Sequence, residues 1–166
     1  MVKKLIILAI LVIAGVAVWF FAFNKSEEDK VRARMLNFIK VMEKSAEDGN
    51  FSEALRTQQI PLYLAEEFTI RDVHRLINDT YSPTTFASTV LRFTAGCSTI
   101  DIDHYDMQVI LTGEDTAEVS FEGSAVAKFK NSSDSMSESR DITFFFKKID
   151  DKWMITAAAA KRAMTK

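Results

Sequence analysis

The sequence predicts an α+β protein: an N-terminal transmembrane helix, then one domain in which three to four helices pack on a curved four-stranded antiparallel sheet. Three observations carry this expectation. Residues 5–23 form an unbroken apolar run, apolar side chains then recur at helical spacing as far as Phe93, and from Thr99 onward the period shortens to two.

The run from Leu5 to Phe23, LIILAILVIAGVAVWFFAF, holds nineteen residues with no charge and no proline. At ~1.5 Å per residue it spans ~28 Å, close to the hydrocarbon thickness of a bilayer, and it shows no polar stripe of the kind a soluble helix presents to water. Lys3 and Lys4 precede it and Glu27-Glu28-Asp29 follow. The positive-inside rule therefore places residues 1–4 in the cytoplasm and residues 24–166 outside it, in the periplasm if the source is a Gram-negative bacterium. A cleaved signal peptide is the rival reading. Its apolar core is shorter and ends in small residues, whereas this one ends in Trp19-Phe20-Phe21-Ala22-Phe23, which suits an interfacial belt. Only Asn24 and Lys25 separate the run from the next capping signal, a gap that would hold the mouth of the domain within reach of the bilayer.

The ~140 residues beyond the run suffice for one core and not for two. The chain carries 21 basic and 23 acidic residues, and setting aside Lys3 and Lys4 leaves 19 against 23. A mildly acidic domain lacks the concentrated positive charge that phosphate neutralisation requires, so nucleic acid is not an expected partner. Cys97 is the single cysteine, which excludes an internal disulfide and a paired-cysteine metal or redox site. Position 97 also rules out lipid attachment at Thr94-Ala95-Gly96-Cys97, and the thiol reads as a small buried hydrophobe.

Ser26 followed by three acids is a helix start, because a hydroxyl and carboxylates satisfy the free amides of a first turn. The periodicity of Val31, Met35, Phe38, Met42 and Ala46 predicts a helix over 27–48, closed by Gly49. Asn50-Phe51-Ser52-Glu53 opens a second over 51–58, ended near Pro61. Ile70, Val73, Ile77 and Tyr81 predict a third over 69–80, with His74 beside its apolar face as a helix-edge histidine. After the turn at Ser82-Pro83, a fourth is expected over 84–93, although Thr84, Thr85, Thr89 and Val90 are β-branched.

The predicted strands are 99–112, 116–130, 139–149 and 153–160. The second alternates most regularly, with Ala117, Val119, Phe121, Gly123, Ala125, Ala127 and Phe129 on the buried face and mostly charged or hydroxyl residues between them. Gly123 marks an expected bulge or bend, a phase slip predicts a bulge near Asp103-His104, and the serine-rich segment 131–139 is expected to be a loop. Hairpin turns fall at Gly113-Glu114-Asp115 and Asp150-Asp151-Lys152.

This order of elements resembles the NTF2-like (cystatin-like) superfamily, with two local echoes: AEDGNFSEAL at 46–55 and KKIDDKWMI at 147–155. The resemblance implies a cone between helices and sheet, used in that superfamily by ketosteroid-isomerase-like enzymes, by carriers of small apolar molecules or lipids, and by dimerising scaffolds. A short cytoplasmic end, one membrane helix and an exported domain of this type also resemble the VirB8-like inner-membrane scaffold proteins of type IV secretion systems.

Three sets of residues are candidates for function. Asp101, Asp103, His104 and Tyr105 form the densest polar group, able in principle to supply an isomerase-like base and hydrogen-bond donor or a divalent-metal site. Alternation across a strand lets only two or three of them converge, so a solvated strand end is the competing reading. Phe121, Gly123, Ala125, Ala127, Phe129, Phe144, Phe146 and Trp153 would border an apolar pocket, unless the small residues simply admit a closely packed helix. Val126 and Phe145 should point outward and could form a dimer face. No nucleophile motif, glycine-rich phosphate loop or H-E-x-x-H stands in the sequence, so no cofactor or metal is expected. The leading expectation is a membrane-anchored, non-catalytic interaction module that is homodimeric or bound to a protein partner through its sheet. The alternative is a small-ligand carrier or isomerase-like enzyme using the cone.

Overall fold

The computed structural model describes residues 26–72 and 77–162. The apolar run at 5–23, with its expected bilayer partner, and His74 lie outside these. Among the described residues no helix is long and apolar enough to cross a membrane.

Helix α1 (Glu27–Met42) begins as the capping signal predicts, with Ser26 Oγ accepting the Asp29 amide at 3.1 Å. Its inward stripe of Val31, Met35, Phe38 and Ile39 is buried, each side chain contributing about 1.5–3 kcal/mol. The helix stops six residues before the expected end. Glu43 is extended, and the Lys44 backbone exchanges two 2.9 Å hydrogen bonds with Ile100. Gly49 accordingly does not close α1 but caps the start of α2 (Asn50–Thr57). A 3-10 turn at Ile60–Leu62 follows, with Ile60 fully buried.

The expected helix at 69–80 is a pair of strands, β1 (Leu64–Asp72) and β2 (Ile77–Tyr81), joined antiparallel. The helical spacing was a coincidence of folding back: Ile70 comes from one strand and Tyr81 from its returning neighbour. Leu64, Ala65 and Phe68 are buried on β1, which runs parallel beside the last strand of the chain and pairs Thr69 with Ala157. Burial on a central strand outweighs a local helical period.

Helix α3 (Pro83–Ala95) matches expectation, with the Ser82 hydroxyl accepting the Thr85 amide at 3.2 Å and proline in the first turn. Four long strands complete the chain: β3 (Cys97–Leu111), β4 (Thr116–Phe129), β5 (Ser135–Ile149) and β6 (Lys152–Arg162). The sheet therefore has six strands, not four, in the order β2-β1-β6-β5-β4-β3, and it is mixed because β1 and β6 are parallel.

Both hairpin turns fall where predicted, and Asp150 and Asp151 take φ of 48° and 59°, the left-handed pair of a tight turn. The bulge lies slightly beyond its expected place. Asp103 and His104 pair regularly, and the slip falls between Tyr105 and Gln108, where Asp106 has φ 54°. No bulge falls at Gly123, which pairs in register with His104 on one side and Arg140 on the other. Much of the expected loop at 131–139 is strand, with Ser135–Ser139 paired to β4.

Helices α1 and α3 lie on one face of the sheet. Helix α3 touches both β1 and β3, strands four places apart in the order. A helix of thirteen residues reaches both because the sheet curls around it. The concave side under α1 and α3 is the cone, and the described helices leave the convex side uncovered.

Candidate functional site: an apolar cone

Between α1, α3 and the concave face of the sheet lies an open cavity of about 340 Å³. Helix α1 supplies Met35, Phe38, Ile39 and Met42 as one wall, and the sheet supplies Phe121, Ile142 and Phe144 as the opposite one. Aromatic packing holds these walls: Phe121 and Phe144 stack with centroids 5.9 Å apart, and Phe38 meets Phe144 edge-on at 6.0 Å. Phe68 and Phe86 close the β1 side, 5.2 Å apart.

Small residues keep the space open. Gly123, Ala158 and Ala160 line it, on strands where a larger side chain would fill it. At Gly123 the constraint is quantitative, because a Cβ there would stand 3.0 Å from Ile142 Cδ1 and 3.2 Å from Phe121 Cε2. Close packing of a helix against these residues was the simpler sequence reading, and the cavity replaces it.

The pocket candidates therefore divide. Phe121, Gly123, Ala125 and Phe144 line the cavity. Phe146 and Trp153 are buried in the solid core nearer the β5–β6 turn, and Ala127 and Phe129 pack with Cys97 and Ile100 in a separate cluster. Burial raises the Cys97 thiol above its ordinary pKa, as befits a packed hydrophobe. The sequence reading missed the α1 wall, although its 3.6-residue stripe was visible, because the stripe reads equally as core. It also misses Glu138 and Arg140, the charged side chains of the lining: Glu138 falls in the expected loop at 131–139, and Arg140 stands at the start of the expected strand 139–149.

The polar candidates do not assemble in the cone. Asp101, Asp103 and Tyr105 pair across the ladder with Val126, Ser124 and Glu122, on the convex face. His104 alternates to the other side, opposite Gly123, with its ring 6.3 Å from that of Phe121. All four are exposed on edge strand β3, and among the described residues no group of three or more acids, histidines or cysteines could hold a metal ion. The aspartate–tyrosine hydrogen bond that does form joins Tyr81 Oη to Asp79 at 3.3 Å on the other edge strand. Burial, and then the Asp79 charge, raise the Tyr81 pKa.

Val126 and Phe145 are half-buried on the convex face, as their parity predicts. They do not form one patch. Phe145 pairs with Glu118, eight residues along β4 from Val126, a separation of roughly 26 Å.

The charged residues of the lining stand far from the start of α1. Glu27 is held by the indole of Trp153, whose Nε1 donates to Oε2 at 2.8 Å, and by Lys148 Nζ at 3.3 Å. The rim residues Glu138 and Arg140 stand eight to ten residues from Lys148 on β5, roughly 30 Å along the strand. Residue 26 therefore lies at the β5–β6 end of the sheet, away from Glu138 and Arg140. The expected placement of the mouth beside the bilayer depends on residues 5–23, outside the described residues.

No protein-family model matches the sequence, and no curated protein matches it. Solved structures do. A proposed scytalone dehydratase from Novosphingobium aromaticivorans superposes with a TM-score of 0.67 at 10% identity, over 84% of this chain and 86% of its own. A proposed dehydratase of the NTF2-like family from Streptomyces avermitilis gives 0.63 at 13% identity, over 82% and 96%. A ketosteroid isomerase-like protein from Erwinia carotovora atroseptica gives 0.62 at 11% identity, over 86% and 100%. The chain has the NTF2-like fold. At these identities the likeness extends to the fold alone.

Proposed function

We propose that the domain binds a small apolar molecule in the cone, and that residues 5–23 tether it to a membrane with the β5–β6 turn toward the bilayer. The observation that carries the first part is the cavity itself, about 340 Å³ bounded almost entirely by apolar side chains. A space of this size falls at the lower end of ligand pockets. Left open, it forfeits the dispersion contacts that filling it would gain. Binding is favoured over isomerase-like chemistry because, among the described residues, the lining offers one carboxylate, Glu138, and that group is ion-paired to Arg140. The structural neighbours include proteins described as dehydratase and isomerase-like, so the fold by itself supports either reading.

The test is occupancy. Native mass spectrometry of the full chain after gentle extraction should retain a small molecule, and Ala158→Phe, which fills the cone, should lose it. An empty wild-type cone that also refuses apolar probes would end the proposal.

The interaction module remains a second reading, favoured by the convex face that the described helices leave open. The VirB8-like resemblance points the same way. Crosslinking in membranes separates the two, since a strict monomer with no captured partner removes the assembly role and leaves ligand binding untouched.

A further inference from the structure

Apart from Ser124 on β4, the cavity is lined by apolar residues and glycine except at its rim, where β5 contributes Glu138 and Arg140. Two residues apart on a strand, they share one face, and the guanidinium Nη2 donates to Glu138 Oε1. Their environments differ. The Arg140 side chain is 18% exposed and that of Glu138 35% exposed, so the cation is the more deeply set of the two.

Across the ladder from Arg140 stands Gly123, so β4 places no side chain between the guanidinium and the cavity. A guanidinium carries five N–H donors in a planar fork, and one carboxylate oxygen occupies only part of it. An arginine set at the mouth of an apolar space, with donor capacity beyond its single hydrogen-bonded neighbour among the described residues, is built to receive a second anion.

We propose that the ligand of the cone is an amphipath with a carboxylate at one end: an apolar body lies against the α1 wall and Phe144, and the carboxylate reaches Arg140. This rests on the reading of the cone as a binding site. At ~30 Å³ per water-sized group, the cavity holds roughly a dozen heavy atoms, about the size of decanoate. Glu138 holds Arg140 in place before the ligand arrives and moderates its pull on the incoming anion. An amine-ended ligand could pair with Glu138 only while facing the deeper cation, so it is the weaker competitor.

Met35 and Met42 both line the cavity and provide a direct readout. The full chain, labelled with carbon-13 at its methionine methyls and held in lipid nanodiscs, is titrated with decanoate, decanol and decylammonium, free concentrations being set by dialysis against empty nanodiscs. Ligand dissolved in the lipid does not shift resonances buried in the cone. Decanoate should bind about tenfold more tightly than decanol, the size expected for one charge-assisted hydrogen-bonded pair. In Arg140→Gln the decanoate-to-decanol ratio should fall to about one, Arg140→Lys should restore part of it, and Glu138→Gln should raise it. Decanol binding as tightly as decanoate, decylammonium binding more tightly, or a ratio indifferent to Arg140→Gln would each overturn the carboxylate assignment while leaving the apolar site standing. Failure of all three probes to shift Met35 or Met42 would overturn both. Decanol binding to Arg140→Gln serves as the check that the variant is folded.

Discussion

Lys44 Nζ lies 2.6 Å from Glu53 Oε2, with both side chains almost wholly buried, and 2.7 Å from the Thr94 carbonyl. One ammonium thus joins the end of α1, the start of α2 and the end of α3. Removing one partner strands a buried charge, so Lys44→Met or Glu53→Gln should each cost about 3–5 kcal/mol in chemical denaturation, while the double replacement Lys44→Met with Glu53→Leu should recover most of that loss.

The same pair sets an acid limit. Burial pushes the Glu53 carboxyl up, but the hydrogen bond and charge of Lys44 outweigh it, and the net shift is downward. A carboxyl with a depressed folded-state pKa stabilises the protein above its unfolded value and loses that contribution as pH falls through the folded one. The stability gap between wild type and Glu53→Gln should therefore be widest near neutral pH and narrow on acidification. A pH-independent gap would show that the pair contributes only packing.

Glu27 makes a second such link, between the first turn of α1 and Trp153. Hydrogen bonds from Lys30, Trp153 and Lys148 lower its pKa from 4.5 to about 2. The contribution of Glu27 should be complete above pH 4.5 and disappear toward pH 2. With Trp19 replaced by Phe, the Trp153 fluorescence of the folded protein should shift only as pH approaches 2, where Glu27 itself takes up a proton, and stay flat in Glu27→Gln. At about a third exposed, Glu27 is screened by solvent, and the effect on melting temperature should be small.

What could be read from the sequence follows how local each signal is. Ser26 with its three acids, Ser82-Pro83, the alternation of 117–129 and the Asp150-Asp151 turn are settled within a few residues of chain, and each appears in place. The β1–β2 pair was misread because its decisive contact is parallel pairing to β6, nearly ninety residues away, which no local period reports. Helix α1 ends early for the same reason: Lys44 is claimed by Ile100, Glu53 and Thr94, none of them its neighbours in sequence. In the cone, Gly123 and Ala125 betrayed themselves by their small volume on a buried face. Arg140 did not, because a charged side chain at the start of the expected strand 139–149 reads as a solvated strand end, although it shares the parity of Ile142 and Phe144.

Gly123 should tolerate little. Alanine there brings its methyl to 3.0 Å from the flexible end of Ile142, which can yield by a few tenths of an ångström. Gly123→Ala should cost about 1 kcal/mol or less, and Gly123→Val 1–3 kcal/mol as Phe121 and Ile142 are forced off their rotamers. Both should reduce uptake of apolar probes, in proportion to the volume removed. Thermal melting measured with and without decanol distinguishes strain from lost binding, since a variant that is only strained keeps its ligand-induced rise in melting temperature.

The β5–β6 turn offers an opposite test, a substitution that should stabilise. Asp150 and Asp151 hold φ of 48° and 59°, a region where a side chain crowds the following carbonyl and which asparagine and glycine occupy at lower cost. Asp150→Asn with Asp151→Gly supplies the pair that such a turn prefers and removes two carboxylates from a short loop. The gain from the turn, offset in part by the extra unfolded-state freedom of glycine, should be about 0.5–1 kcal/mol. Because this turn lies beside Trp153, Lys148 and Glu27, a local benefit should also slow amide exchange in the first turn of α1. Exchange unchanged there, with higher global stability, would show that the hairpin and the helix start open independently.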